Sequence, residues 1–197
     1  MTAPLEHPLV LGIPRGGVPV AAVVAARLDG DLDVLVTHKL GAPGNPEFAI
    51  GAVAADGSAV IDERILRALS IPDQYVEAER LRQLREVQSR ARRFRGERPL
   101  PDMAGRTVVV VDDGIATGST LEAGLRFVAH QDAAQVIAAV PVGPPDSIAR
   151  IAGGADLVVC PLQPASFHAV GLWYDEFPQV SDDEVMRLLS PDGRMAE

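Results

Sequence analysis

Two adjacent aspartates stand just before a cluster of hydroxyl side chains in the stretch VVVVDDGIATGST, which runs from Val108 to Thr120. The four valines predict a buried strand, and the residues from Ser119 onward predict a helix. The first N–H groups of a helix have no partner within it and readily bind phosphate. Asp112 and Asp113 do not bind phosphate, but their carboxylates accept hydrogen bonds from hydroxyl groups. A ribose that carries a 5′-phosphate offers both kinds of group.

Two other phosphate-binding loops do not fit this stretch. A Walker A loop needs a lysine after its second glycine, whereas Gly114 and Gly118 lie too close together and no lysine follows. The glycine pattern of a dinucleotide-binding turn is absent as well. The plain alternative is that the aspartates end a strand in solvent and that ATGST only caps a helix.

A second candidate loop, PRGG, follows the first apolar run of the sequence. Arg15 provides a permanently charged, forked donor, and Gly16 and Gly17 let backbone N–H groups approach an anion. Taken alone, this loop is as typical of a tight turn as of an anion site. Its presence upstream of the aspartate pair strengthens the prediction of a site for a phosphorylated ligand.

Alternating strand and helix patterns would position these loops. Strands are predicted at 9–13, 33–40, 107–113, 134–142 and 155–160, and a hairpin at 48–61 with its turn at Asp56 and Gly57. Helices are predicted at 18–28, 62–69, 72–96, 119–131, 144–154 and 181–190, with Asp62 and Ser181 as N-caps and Gly96 as a terminator. This alternation predicts an α/β fold in which helices flank a parallel β-sheet.

Ligands of such sheets bind at the carboxyl ends of the strands, so the loops at these ends are the candidate site. We expect three of them there: Pro14–Gly17, Lys39–Glu47 and Asp112–Thr120. The segment 41–47, rich in glycine and proline, is expected to close over the ligand. The helix 72–96 carries seven arginines between Arg80 and Arg95, and it is interpreted as a solvated flanking helix, a lid, or a basic surface for a phosphorylated partner.

Three stretches resemble the type I phosphoribosyltransferase family, and together the likeness covers most of the chain. VVVVDDGIATGSTL is similar to the family's phosphoribosyl-pyrophosphate (PRPP) motif, LGIPRGGVPVA resembles its pyrophosphate loop, and KLGAPGNPEFAIGAV resembles a subgroup of small stand-alone phosphoribosyltransferase-domain proteins. The resemblance implies a single domain over 1–197 and a PRPP site made of Arg15, Gly16, Gly17, Lys39, Asp112, Asp113, Ala116, Thr117, Gly118, Ser119 and Thr120. A strained or cis peptide bond in the pyrophosphate loop is typical of the family.

The resemblance also implies a reaction, the displacement of pyrophosphate from the ribose by a nitrogenous base. Asp112 and Asp113 would hold the ribose hydroxyls and offset positive charge on the ring, while Mg²⁺, Arg15 and Lys39 would stabilise the leaving pyrophosphate. The Mg²⁺ would be bound mainly through the substrate. Lys39 is the only lysine; the alternative is an ordinary exposed lysine. A homodimer is expected from the resemblance.

The acceptor base is the part of the reaction that the sequence leaves open. In the 6-oxopurine enzymes of the family an acid often occupies the place of Ala116, so this chain lacks that general acid or base. The segment 164–180 resembles a hood over the base, in which Phe167 or Trp173 would stack on the ring and Asp175 would lie near the metal. The alternative is that Phe167, Trp173 and Tyr174 only anchor the tail on the core.

Two functions are therefore predicted from these residues and the resemblance. The first is a Mg²⁺-dependent phosphoribosyltransferase that uses PRPP and an unidentified base. The alternative is a non-catalytic regulator that binds PRPP or a nucleotide, which the absence of an acid at Ala116 favours.

The composition and charge of the chain limit the classes of partner and the location that we expect for it. The 197 residues carry a formal net charge of −9, which argues against nucleic acid and membrane surfaces as partners because both select basic proteins. A single cysteine excludes an intrachain disulfide. The N-terminal residues lack the pattern of a signal peptide, and no apolar run is long enough to span a membrane. A cytoplasmic location is the expectation.

Overall fold

The architecture is an α/β fold with two sheets, seen in a computed structural model that describes residues 7–190. The strands of the described residues are β1 (Leu9–Gly12), β2 (Asp31–Val34), β3 (Thr37–Ala42), β4 (Asn45–Ala54), β5 (Ala59–Ile61), β6 (Thr107–Val111), β7 (Gln135–Ala139) and β8 (Leu157–Val159). The helices are α1 (Gly17–Leu28), α2 (Glu63–Ala68), α3 (Asp73–Arg95), α4 (Ser119–Val128), α5 (Pro145–Ile151) and α6 (Asp182–Leu188). Within the described part, no helix is long and apolar enough to cross a membrane.

The larger sheet has five parallel strands in the order β2-β1-β6-β7-β8. Its central strand β6 contributes valines to both faces. Val108 and Val110 pack with Leu121 and Leu125 of α4, whereas Val109 packs in the cluster that contains residues of α1. Burial on both faces explains why β6 reads as an unbroken apolar run, and it confirms the predicted parallel sheet with flanking helices.

The predicted single strand at 33–40 is wrong, because the chain changes sheets in the middle of it. β2 ends at Val34, and β3 begins at Thr37 in a separate antiparallel sheet of order β3-β4-β5. Leu35 and Val36 connect the two strands. Leu35 is buried in the apolar cluster that contains residues of β1 and β6, and Val36 is buried in the cluster that contains residues of β3 and β4. The apolar pattern of 33–40 continues across the crossing because its apolar residues are buried on both sides of it. Sequence periodicity therefore does not reveal that the chain changes sheets.

The predicted loop at Lys39–Glu47 is wrong for the same reason. β3 continues to Ala42, and β4 begins at Asn45 after a tight turn in which Gly44 has a φ of 71°. A positive φ is accessible to glycine at little cost, so this turn joins the two strands directly. The segment 41–47 is therefore mostly hairpin strand. The predicted turn at Asp56 and Gly57 is confirmed between β4 and β5.

The long helix α3 covers one face of the smaller sheet. Val87, Ala91 and Phe94 of α3 are buried in the same cluster as Leu40 and Ile50 of the sheet. Gly96 ends the helix, as predicted. The two predicted N-caps are confirmed too, since the side chains of Asp62 and Ser181 accept hydrogen bonds from the first N–H groups of α2 and α6.

Candidate active site

Two loops meet at the carboxyl edge of the larger sheet. They follow β1 and β6, which are neighbouring parallel strands, and the N–H of Ile13 donates to the carbonyl oxygen of Val111 at 2.8 Å. The loop after β1 contains Arg15, Gly16 and Gly17, and the loop after β6 begins with the aspartate pair. Strand pairing thus brings together residues about a hundred positions apart in the sequence.

The contact between the loops depends on the absence of side chains at Gly16 and Gly17. A Cβ atom on Gly16 would lie 1.8 Å from Oδ2 of Asp113, and one on Gly17 would lie 2.8 Å from the Cα of Asp112. Both separations are too short for real atoms, so only glycine fits at this packing. The peptide bond between Pro14 and Arg15 is cis, in agreement with the expectation for this loop.

Burial changes the protonation of both aspartates. It raises the pKa of Asp112 to about 8, with a smaller contribution from the negative charge of Asp113. Burial also raises the pKa of Asp113, although hydrogen bonds from its surroundings oppose the rise. The backbone N–H of Asp113 donates to Oδ1 of Asp112 at 2.9 Å, which fixes the orientation of that carboxyl group. A carboxyl group in this state either accepts or donates hydrogen bonds to hydroxyl groups.

The loop from Gly114 to Thr120 is held at its base and open at its tip. Ile115 is buried and donates its N–H to Val142 at 2.9 Å, and Ser147 donates its hydroxyl to the carbonyl oxygen of Ala116 at 2.7 Å. Thr117 is exposed, and its hydroxyl lies 3.4 Å from that of Ser119 at the start of α4. The start of α4, whose first N–H groups have no partner within the helix, therefore lies beside two hydroxyl groups, an arrangement that suits a phosphate.

Arg15 is tied to the far end of the described chain. Its Nη1 lies 3.6 Å from Oδ1 of Asp182, and Oδ2 of the same carboxylate accepts from Nε of Arg93 at 2.7 Å. Asp182 is the first residue of α6 and its side chain is largely buried, at 18% exposure. Sequence reasoning missed this residue; the acidic run SDDE at a helix start is ordinary and gives no sign of the partner.

A cavity of about 400 Å³ adjoins this contact. Gly16 and Asp113 line it together with Tyr174 and residues 176–180. The hydroxyl of Tyr174 donates to the carbonyl oxygen of Asp113 at 2.6 Å, and its burial raises the pKa of Tyr174 to about 12. The sequence suggested Tyr174 only as an anchor of the tail and gave no sign that its partner would be Asp113.

The residues predicted for the base, the metal and the second cationic contact do not line this cavity. Lys39 is in β3 of the smaller sheet and does not line the cavity. Phe167 and Trp173 stack on each other, with ring centroids 6.4 Å apart and planes 9° from parallel. Asp175 is exposed beside Tyr174. The base-binding and metal-binding roles of these residues stay predictions.

The described residues contain no group of three or more His, Cys, Asp or Glu side chains arranged to hold a metal ion. The aspartate pair supplies two carboxylates, which suits a Mg²⁺ ion that takes most of its ligands from a phosphorylated substrate.

Residues 1–171 match the sequence model of the phosphoribosyl transferase domain. A Mycobacterium tuberculosis H37Rv protein, Rv0571c, provisionally named a phosphoribosyl transferase, is 49% identical over 181 residues, which cover 92% of this chain and 41% of the relative. The chain thus spans about two fifths of the length of this curated relative. A crystal structure of TT1426 from Thermus thermophilus superimposes with a TM-score of 0.89 at 46% identity, over 94% of this chain and 88% of that one.

Proposed function

Because this chain belongs to the phosphoribosyl transferase domain family, we propose that it transfers the 5-phosphoribosyl group of PRPP to a nitrogenous base and releases pyrophosphate. The observation that carries the proposal is the contact of Gly16 and Gly17 with Asp113 and Asp112. This contact places a loop suited to an anion directly beside carboxyl groups suited to ribose hydroxyls. The two halves of a sugar phosphate–pyrophosphate ligand would then be bound at one point.

Each part of PRPP has a partner in this proposal. The 5′-phosphate binds the N–H groups and hydroxyls from Ala116 to Thr120, and the ribose hydroxyls bind Asp112 and Asp113. The pyrophosphate binds the backbone of Gly16 and Gly17 and the guanidinium of Arg15. Lys39, in β3 of the smaller sheet, would add a second cationic contact to the pyrophosphate.

The reaction moves positive charge onto the ribose ring. A nitrogen lone pair of the base forms a bond to the anomeric carbon as the bond from that carbon to pyrophosphate breaks, and pyrophosphate leaves with the electron pair. The carboxyl groups of Asp112 and Asp113 offset charge on the ring, and Arg15 stabilises the leaving group. Bound Mg²⁺ would supply further charge neutralisation at the pyrophosphate. The proposal includes a hood formed by residues 164–180 and a homodimer, both from the family resemblance.

PRPP binding tests the donor site. Isothermal calorimetry with PRPP and Mg²⁺ should detect binding to the wild-type chain, and Asp113→Asn should weaken it by about tenfold or more, since hydrogen bonds to charged groups contribute about 1.5–3 kcal/mol. Asp73→Asn is the matched control, because Asp73 is exposed at the start of α3. Equal affinity in the wild-type and Asp113→Asn proteins would refute the site.

Pyrophosphate release with a panel of bases separates the enzyme from the alternative, a PRPP-binding regulator. The position of Ala116 favours the alternative, because its exposed side chain supplies no acid or base beside the loop. Pyrophosphate release that depends on both PRPP and a base supports the enzyme. Tight PRPP binding with no release for any base would support the regulator.

A further inference from the structure

The cavity beside Gly16 and Asp113 has walls that polar contacts hold in place. Tyr174 fixes residues 174–180 to the loop after β6 through its 2.6 Å hydrogen bond. Asp182 ties α6 to Arg15 of the PRGG loop and to Arg93 of α3. The α6 helix is itself anchored by Val185, which is fully buried. The cavity is therefore a built feature of the fold, and its volume of about 400 Å³ lies in the usual range for small-molecule sites.

Acidic side chains outnumber cationic ones in the lining of this cavity. Carboxyl groups come from Asp113, Glu176 and Glu184, and among the described residues the only cationic side chain in the lining is that of Arg15. The charge of Arg15 is shared with Asp182 at 3.6 Å. A pyrophosphate group placed deep in this cavity would be repelled by the carboxylates. The cavity is thus unsuited to the donor, although it opens beside the residues that would bind the donor.

Apart from Gln179 and the hydroxyl of Tyr174, the remaining lining is apolar and suits a flat ring. Pro19 and Val20 of α1 line the cavity together with Phe177 and Pro178 of the tail, and such surfaces favour planar heterocycles. The two glutamates lie on different elements: Glu184 is half-buried in the first turn of α6, and Glu176 is exposed in the tail segment. A ring bound between the apolar walls would meet carboxylate acceptors at its edge.

We propose that this cavity binds the acceptor and selects a planar nitrogen heterocycle that presents N–H donors on an amino or amidine edge, with Glu176 and Glu184 as its specificity-determining residues. The identity of the reaction rests on the function proposed above, but the selectivity of the cavity does not. Acceptors whose edge carries a carboxylate are excluded, because that edge would face two like charges. The determinants lie in the tail and in α6, which compensates for the absence of an acid at Ala116.

Three isosteric probes test this selectivity without requiring turnover. Benzamidine, benzamide and benzoate share one ring and differ only in the charge and hydrogen-bonding groups of the substituent. Calorimetric titration of the full chain should give the tightest binding for benzamidine and the weakest for benzoate. Glu184→Gln and Glu176→Gln should each reduce the ratio of benzamidine to benzoate affinity by about tenfold, as expected for loss of a charged hydrogen-bond partner.

Two control variants show whether a change in the affinity ratio arises from the cavity glutamates. Glu63→Gln changes an exposed glutamate of α2 and should leave the ratio unchanged. Glu176 lies outside any helix or strand, so its variant gives a result even if Glu184→Gln destabilises α6. Equal binding of benzamidine and benzoate by the wild-type chain, or a ratio that neither substitution changes, would overturn the inference.

PRPP titration of the same proteins separates this inference from the proposed function. Selectivity for benzamidine without PRPP binding would support the acceptor cavity and refute the proposed PRPP site. PRPP binding without selectivity for benzamidine would support the PRPP site and refute the acceptor cavity.

Discussion

In the proposed function Asp112 and Asp113 bind the ribose, and their surroundings in the free protein favour the protonated form. Burial raises the pKa of both carboxyl groups, that of Asp112 to about 8. Binding sites often contain a titratable residue whose charged form is destabilised in the free protein. We therefore expect the aspartate pair to lower the stability of the free protein and to stabilise its complex with a sugar phosphate.

Asp112→Asn should stabilise the free protein in a pH-dependent way. The pKa of Asp112 rises from 3.8 to about 8 on folding, so between these values the folded state retains a proton that the unfolded chain releases. The free energy of unfolding of the wild type therefore falls as pH rises through this window. Asparagine has no such proton and still accepts the hydrogen bond from the N–H of Asp113. The variant should be more stable than the wild type near pH 8 and similar to it near pH 4.

Urea unfolding at both pH values measures this difference. Asp73→Asn, with its exposed carboxylate, serves as the control for general effects of pH. A stability difference of the same size at both pH values would contradict the assigned protonation of Asp112. PRPP binding by the variant should be weaker at both, because the carboxyl group that would contact the ribose is absent.

Gly16→Ala should impair PRPP binding through Asp113. The added Cβ would lie 1.8 Å from Oδ2 and 2.6 Å from Cγ of Asp113, so the carboxyl group must rotate away. Gly153→Ala is the matched control, because nothing lies within 4 Å of a Cβ at that position. We expect at least about tenfold weaker binding for Gly16→Ala, measured by calorimetry, and wild-type affinity for Gly153→Ala. Unchanged affinity in both variants would mean that the loop contact is irrelevant to the ligand.

At the scale of elements, α3 illustrates how much the sequence reveals. The helix, its length and its end at Gly96 follow from local pattern and were predicted correctly. The arginine-rich sequence gave no sign that Arg95 is buried at 6% exposure. Its Nε donates to Asp33 at 2.7 Å, and a second nitrogen donates to the carbonyl oxygen of Val34. This pairing joins the end of α3 to β2, and the sequence patterns used here do not identify a contact 62 positions apart.

Arg95→Ala should destabilise the fold strongly. Removal of one partner from a buried ion pair leaves the other charge without compensation, and the usual cost is about 3–5 kcal/mol. Arg90→Ala, an exposed position on the same helix, should change the free energy of unfolding by less than about 0.5 kcal/mol. Chemical denaturation of both variants tests the contrast. Equal stability of the two would show that the Arg95 pair contributes nothing to the fold.

The site was more predictable than the topology around it. The PRPP motif and the PRGG loop are local patterns, and the family to which they pointed is confirmed by the match over residues 1–171. The change of sheet near Leu35 and the hairpin after β3 were missed, because both depend on which buried neighbours the chain meets. The contacts of Tyr174 and Asp182 were missed because their partners are set by the folding of the tail onto distant loops.

At the scale of the whole molecule, the net charge and the residues that follow the family match both affect the binding of an anionic ligand. The net charge of −9 opposes an anionic ligand, so PRPP would depend on local N–H groups and on Arg15. The helix α6 begins after residue 171, where the family match ends, yet it reaches the site through Asp182. Residues beyond the shared domain thus influence the charge available at the PRGG loop.

Asp182→Asn should strengthen PRPP binding. The carboxylate of Asp182 pairs with Arg15 and would compete with pyrophosphate for the guanidinium while also repelling it. The pair keeps contact with solvent through Arg15, whose side chain is 37% exposed, and ion pairs of this kind contribute about 0.2–1 kcal/mol, so the dissociation constant should fall by up to about fivefold. Asp183→Asn is the matched control, because Asp183 is the next residue of the same helical turn and is exposed. Weaker PRPP binding in Asp182→Asn, with Asp183→Asn unchanged, would show instead that Asp182 positions Arg15 for the ligand.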